Sequence, residues 1–121
     1  MTSPGNEDGH YRGTMQPIDF IEANQLSFSC GSAIKYLARH RRKGKALDLD
    51  KAVWFLSRCV ICPPPLGAGY DLLEEFCQSQ DMDDDESVIM EQIMCWWATG
   101  SSSWLEDAID GIRELREKCY E

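Results

Sequence analysis

Histidine is scarce in this chain, with two in 121 residues, and so are the features that mark several large protein classes. No apolar run approaches the roughly 18–20 residues of a bilayer span, so no membrane partner is expected. The opening Met1-Thr2-Ser3-Pro4-Gly5-Asn6 has no signal-peptide core, and the expected location is the cytoplasm. No segment alternates apolar and polar residues with period two, which leaves no strand signal. A phosphate-cradling loop of the GxxxxGK[ST] type is missing, because Arg42-Lys43-Gly44-Lys45-Ala46-Leu47 lacks both the first glycine and the hydroxyl. Cations are short in the second part of the chain. Residues 59–121 hold three basic and fifteen acidic side chains, a balance of -12. With a pI near 4.6, long nucleic acid is not an expected partner.

Against these shortages one segment stands out. Lys35, Arg39, Arg41, Arg42, Lys43 and Lys45 are six of the twelve Lys and Arg residues, in a protein of net charge -9. Residues 1–58 carry nine basic and six acidic groups, a balance of +3. Half the cations gathered at one helix end need either an anion or the chain's own carboxylates. At 121 residues, 43% hydrophobic and 27% charged, the chain has the size and composition of one soluble domain. The expected organisation is a tail over 1–9 and a single helical domain over 10–121. Within that domain 10–62 is a basic half and 69–121 an acidic one. Of the six cysteines, Cys59-Val60-Ile61-Cys62 has the spacing of half a zinc site or a redox pair. No second pair completes four ligands, so no metal site is assigned and the cysteines read as small core residues.

Helical spacing recurs along the chain. Pro17 opens a short helix to about Asn24, since a proline at the first helical position loses no hydrogen bond. Ser27 or Ser29 caps a second helix to about Arg42, with Ala33, Ile34 and Leu37 inward, and Gly44 stops it. A third runs from about Leu47 to Ile61, ended by Pro63-Pro64-Pro65. Tyr70–Ser79, Ser87–Thr99 and Trp104–Lys118 complete six, with Ser103 and Glu106 placed as a capping box for the last. The expected fold is an all-α bundle of two similar helical units, with four long helices. The likeness is read from Asp19-Phe20-Ile21-Glu22 beside Asp71-Leu72-Leu73-Glu74, Ile34–Leu37 beside Ile93–Trp96, and Leu49–Val53 beside Leu105–Ile109. On that pairing Lys35 meets Met94, Arg39 meets Ala98 and Lys51 meets Asp107, so the second copy drops the cations. The Ser87–Thr99 helix, with Met90, Met94, Trp96 and Trp97, is apolar on nearly every side, which predicts a homo-oligomer.

Lys35 and Arg39 stand one turn apart on one helix face, a spacing suited to phosphate oxygens. The competing reading is that they balance the helix dipole and the acidic half. Arg41 to Lys45 read as solvated surface. Tyr11, Tyr36, Trp54 and Phe55 offer flat faces for a base, or core packing. Asp19, Glu22, Asp48 and Asp50 suit magnesium together with substrate phosphates, or simple helix capping.

The series His10-Tyr11, Gln16-Pro17-Ile18-Asp19-Phe20-Ile21-Glu22-Ala23-Asn24, Ile34-Lys35-Tyr36 with Arg39, and Asp48-Leu49-Asp50-Lys51-Ala52 with Trp54-Phe55-Leu56 resembles a family of small bacteriophage proteins. That family includes the nucleotide kinase of T7-like phages, and the resemblance covers about residues 10–58. It implies that His10, Tyr11, Lys35, Arg39 and Lys51 serve nucleotide binding. With Tyr36 and Trp54 beside them, the expected activity is conversion of deoxynucleoside monophosphates such as dTMP or dGMP to diphosphates. ATP or another triphosphate would donate the phosphoryl group, with Mg2+ present. Lys35 and Arg39 would hold phosphate, Tyr11 or Trp54 the base, and Asp50 the metal. Two other readings stand beside it: a non-catalytic binder that sequesters a nucleotide, including a host-defence signalling nucleotide, and an acidic module that acts on a host protein.

Overall fold

The structure, a computed structural model, describes residues 14–65 and 67–120. All its regular elements are helices: α1 (Pro17–Ala23), α2 (Phe28–Arg39), α3 (Ala46–Arg58), α4 (Leu73–Ser79), α5 (Asp84–Thr99) and α6 (Ser102–Tyr120), with one 3-10 turn at Cys59–Ile61. Local chemistry sets the ends. Pro17 sits in the first turn of α1, and the Gln16 amide donates to Asp19 Oδ2 at 2.9 Å. Ser27 caps α2 by accepting from the Cys30 amide at 3.2 Å. Asp83 caps α5 in a capping box with Glu86, which moves the start of that helix three residues ahead of the sequence expectation. Helix α2 stops at Arg39, followed by a run of turns to Lys45.

The same plan occurs twice. A seven-residue helix is followed by two long ones, and the starts fall at 17 and 73, 28 and 84, 46 and 102, a constant separation of 56 residues. The turns repeat as well. After α1, Gln25 has φ 52° and the Leu26 amide donates to the Ile21 carbonyl; after α4, Asp81 has φ 54° and the Met82 amide donates to the Cys77 carbonyl. Ser27 and Asp83 are equivalent caps. Buried positions coincide too: Phe20 with Phe76, Ile34 with Met90, Leu37 with Ile93, Leu49 with Leu105, Ala52 with Ala108 and Leu56 with Ile112. This register corrects two of the three sequence pairings. Phe20 corresponds to Phe76 instead of Leu72, and Lys35 to Glu91 instead of Met94, while Lys51 stays with Asp107. Short apolar matches recur every three or four residues along any amphipathic helix, so they do not fix a register; the left-handed turn residues do.

In each unit the short helix packs on the next long one and the two long helices pair, α2 on α3 and α5 on α6. The units meet through equivalent elements, α3 on α6 and α1 on α4. Phe20 and Phe76 stack across this seam with ring centres 4.7 Å apart and planes 17° apart. Asn24 ties the seam at one end: its amide donates to the Asp71 carbonyl and its Oδ1 accepts from the Asp71 amide at 2.7 Å. The apolar α5 is used up inside this core. Met90, Ile93 and Met94 are fully buried, and Trp96 and Trp97 are 3% exposed. The surplus surface on which a homo-oligomer was expected is therefore covered within the single chain.

Candidate functional site

Helices α2 and α3 lie side by side and bring most of the sequence-predicted site residues to one face. Tyr36 is the centre. Arg39 Cζ lies 4.7 Å from its ring centre, Lys51 Nζ 5.2 Å and Lys35 Nζ 5.3 Å. Its ring lies parallel to that of Phe55, at 5.8 Å and 8°. Trp54 joins the group edge-on to Phe55 at 5.0 Å. Three cations around one ring are held partly by its negative π-face, worth about 0.5–1 kcal/mol each at an exposed site.

Arg39 is not free. Its Nε and Nη2 donate to Asp48 Oδ2 and Oδ1 at 3.0 and 3.3 Å, and Asp48 also accepts from the Gly44 amide at 2.8 Å. Asp48 is buried. Burial pushes its carboxyl pKa up, but the hydrogen bonds from Arg39 and Gly44 outweigh burial and hold it below the ordinary value. The same bond keeps the Arg39 guanidinium above its own ordinary value. Gly44 is glycine because a Cβ there would stand 2.3 Å from Asp48 Oδ1. Asp48 and Gly44 therefore fix the direction of Arg39 against Tyr36, while Lys35 and Lys51 keep ammonium groups without a carboxylate of their own in this cluster. The net local charge is positive.

Asp50 goes elsewhere. Its carboxylate takes a two-point bond from Arg116 of α6, at 2.7 and 3.3 Å, which joins the two units. Asp19 is spent on its own helix start. Asp19, Asp48 and Asp50 are thus dispersed and occupied, Glu22 stands exposed on α1, and among the described residues no group of three or more His, Cys, Asp or Glu side chains is placed to hold a metal. The described residues do not fit a protein-held magnesium ion. His10 and Tyr11 lie outside the described residues. Cys59 is buried and burial pushes its thiol up to about 12, away from thiolate character, while Cys62 is exposed.

Sequence reading missed a fully buried polar group. His40 is fully buried, with Nδ1 2.6 Å from the Tyr120 hydroxyl and Nε2 2.5 Å from Glu86 Oε2. Every polar atom is satisfied when Nε2–H donates to the carboxylate and the tyrosine O–H donates to Nδ1. Arg41 is exposed, as expected of surface, but it is paired there: it donates to Asp83 Oδ2 at 2.6 Å and lies 3.3 Å from Glu86 Oε2. Glu86 as the third residue of a capping box was the available signal. These bonds tie the end of α2 to the starts and ends of the second unit and leave Arg42, Lys43 and Lys45 exposed.

The same face of the second unit gives a control. At the places of Lys35, Tyr36, Lys51, Trp54, Phe55 and Arg58 stand Glu91, Gln92, Asp107, Asp110, Gly111 and Glu114. All three aromatics and all three cations are gone, and a groove of about 510 Å³ opens there, its lining including Gln92, Asp107, Asp110, Gly111 and Glu114. Helices α5 and α6 pack regardless. The fold does not need the aromatic-cation cluster.

A family model described as a protein of unknown function, DUF3310, matches residues 2–57. The match ends within α3, so the chain is similar to that family over its first unit, the one that carries the cations. No curated protein and no solved structure matches the chain.

Proposed function

We propose that the α2–α3 face binds a nucleotide, with its phosphate between Lys35 and Lys51 beside Arg39 and its base against the exposed aromatic surface around Phe55. One observation carries the reading: three cations stand within 4.7–5.3 Å of the Tyr36 ring centre, on a scaffold whose second copy packs without any of them. Side chains that packing does not require, yet which bring like charges together, are explained by an anion. Arg39, held by Asp48, gives a fixed rim to the site. The two lysines, with flexible stems and compact charges, close on the phosphate.

The ligand class proposed is a deoxynucleoside monophosphate, dTMP or dGMP, from the resemblance to the phage kinase family. In the catalytic form of the reading, the γ-phosphoryl group of ATP passes to the monophosphate and gives ADP and a diphosphate. The part of the chain would be positional and electrostatic, with Lys35 and Lys51 drawing negative charge off the transferred group. The open face and the engagement of Asp50 with Arg116 favour binding over transfer, which makes the sequestering form the one the geometry supports best.

Titration calorimetry with dTMP and dGMP tests the site. Binding is expected, and Lys35→Ala with Lys51→Ala abolishes it; unchanged affinity in that double variant refutes the assignment. Incubation with ATP, Mg2+ and dTMP then separates the two forms, since only the kinase makes ADP and a diphosphate.

A further inference from the structure

The aromatic surface does not end at Tyr36. Trp54 is 58% exposed and meets Phe55 edge-on at 5.0 Å, and the Arg58 Cζ lies 5.6 Å from the Trp54 ring centre. Phe28, 81% exposed at the start of α2, meets the same Phe55 at 5.9 Å. Phe55 is a hub with two charged stations around it: Tyr36 with Lys35, Arg39 and Lys51, and Trp54 with Arg58. Packing accounts for neither member of the second station. The equivalent places on α6 hold Asp110 and Glu114, and that helix pairs with α5 as closely as α3 does with α2. An indole open to water beside a guanidinium suits a stacked base followed by a phosphate, since every base has a π-face and arginine's fork matches phosphate oxygens.

We infer that the site is two nucleotide units long, the first phosphate held at the Tyr36 cluster and the second base and its phosphate held by Trp54 and Arg58. The ligand class is a pair of nucleotides joined by a phosphodiester, linear or cyclic. Length is limited by the rest of the molecule. Residues 59–121 carry a balance of -12, which disfavours a long polyanionic strand over the molecule as a whole.

The inference rests on the nucleotide reading of the Tyr36 cluster, and one experiment keeps the two apart. Calorimetry on the full chain compares dTMP, the linear dinucleotide pTpT and a cyclic dinucleotide at one salt concentration, with tryptophan fluorescence read in parallel. Trp54 is the most exposed of the tryptophans and dominates quenching by a stacked base. Either linked ligand is expected to bind about tenfold tighter than dTMP, the gain that one more stacked base supplies. Whichever of the two gains identifies the linkage. Arg58→Gln and, separately, Trp54→Ala remove that gain, and Trp54→Ala also removes the quenching. Equal affinity for dTMP and both linked ligands overturns the two-unit site and leaves the nucleotide reading standing. A gain that survives both substitutions overturns it as well. Failure of all three ligands to bind overturns the nucleotide reading itself.

Discussion

Tyr36 and Gln92 occupy equivalent places on two similar helix pairs, yet one is ringed by three cations and the other floors an acidic groove. The buried stripes behind them hardly differ: Leu49, Ala52 and Leu56 are matched by Leu105, Ala108 and Ile112. What the scaffold needs has been kept on both sides, and what differs is outward-facing chemistry. The comparison therefore separates residues that folding requires from residues that it does not within a single molecule, without a second protein to compare.

The comparison breaks most severely where the units are cross-linked by polar groups. Glu86→Cys gives the second unit the residue that stands at position 30 of the first. It also strands the fully buried His40 and removes a partner of Arg41. A loss of about 3 kcal/mol is expected in urea unfolding; a loss under about 1 kcal/mol would mean the buried pair is dispensable. Next in size, Lys35→Glu with Lys51→Asp gives the first face the charges of the second. Nucleotide affinity is expected to fall at least about 100-fold, as two charge-assisted contacts become repulsive. The fold should persist, with a stability loss of at most about 1–2 kcal/mol from the two cation–π contacts given up.

Asp48 sharpens the contrast through pH. Its carboxyl and that of Asp83 are held below the ordinary 3.8, in both cases because hydrogen bonds overcome the opposing effect of burial. A depressed carboxyl stabilises the fold fully above its unfolded value and loses that contribution as pH falls through the folded one. Stability should therefore decline below about pH 4, and Asp48→Asn should lower it by about 1–2 kcal/mol at neutral pH and flatten part of the decline. Denaturant midpoints across pH 2–7 measure both. The smallest effect belongs to the exposed Asp50–Arg116 bond. Asp50→Asn should cost at most about 0.5–1 kcal/mol in the same assay, and a larger loss would give this bond a part in holding the units together.

Much of the fold was legible. The stripe Leu105, Ala108, Ile112 and Leu115 was read from spacing and is buried, and Ser27 is one of the two caps proposed for α2. Lys35 and Arg39 were read on one helix face from their spacing and do lie together against Tyr36, whereas Lys51 was grouped with them only through the resemblance. Other features depend on partners far away in sequence. His40 meets Tyr120 and Glu86, Asp50 meets Arg116, and Asp48 reaches back to Arg39 and Gly44 only because a tight turn returns the chain. The Ser87–Thr99 helix was read as having surface to spare because periodicity cannot say how many neighbours a helix will have.

The Phe20–Phe76 stack has a consequence for heredity. In a symmetric pair of separate subunits the residue on the axis meets its own copy, and any mutation strikes both subunits at once. Here the two phenylalanines are encoded separately within one chain. Each half is free to drift alone, so a face can be rebuilt with opposite charge while its counterpart keeps its original trade.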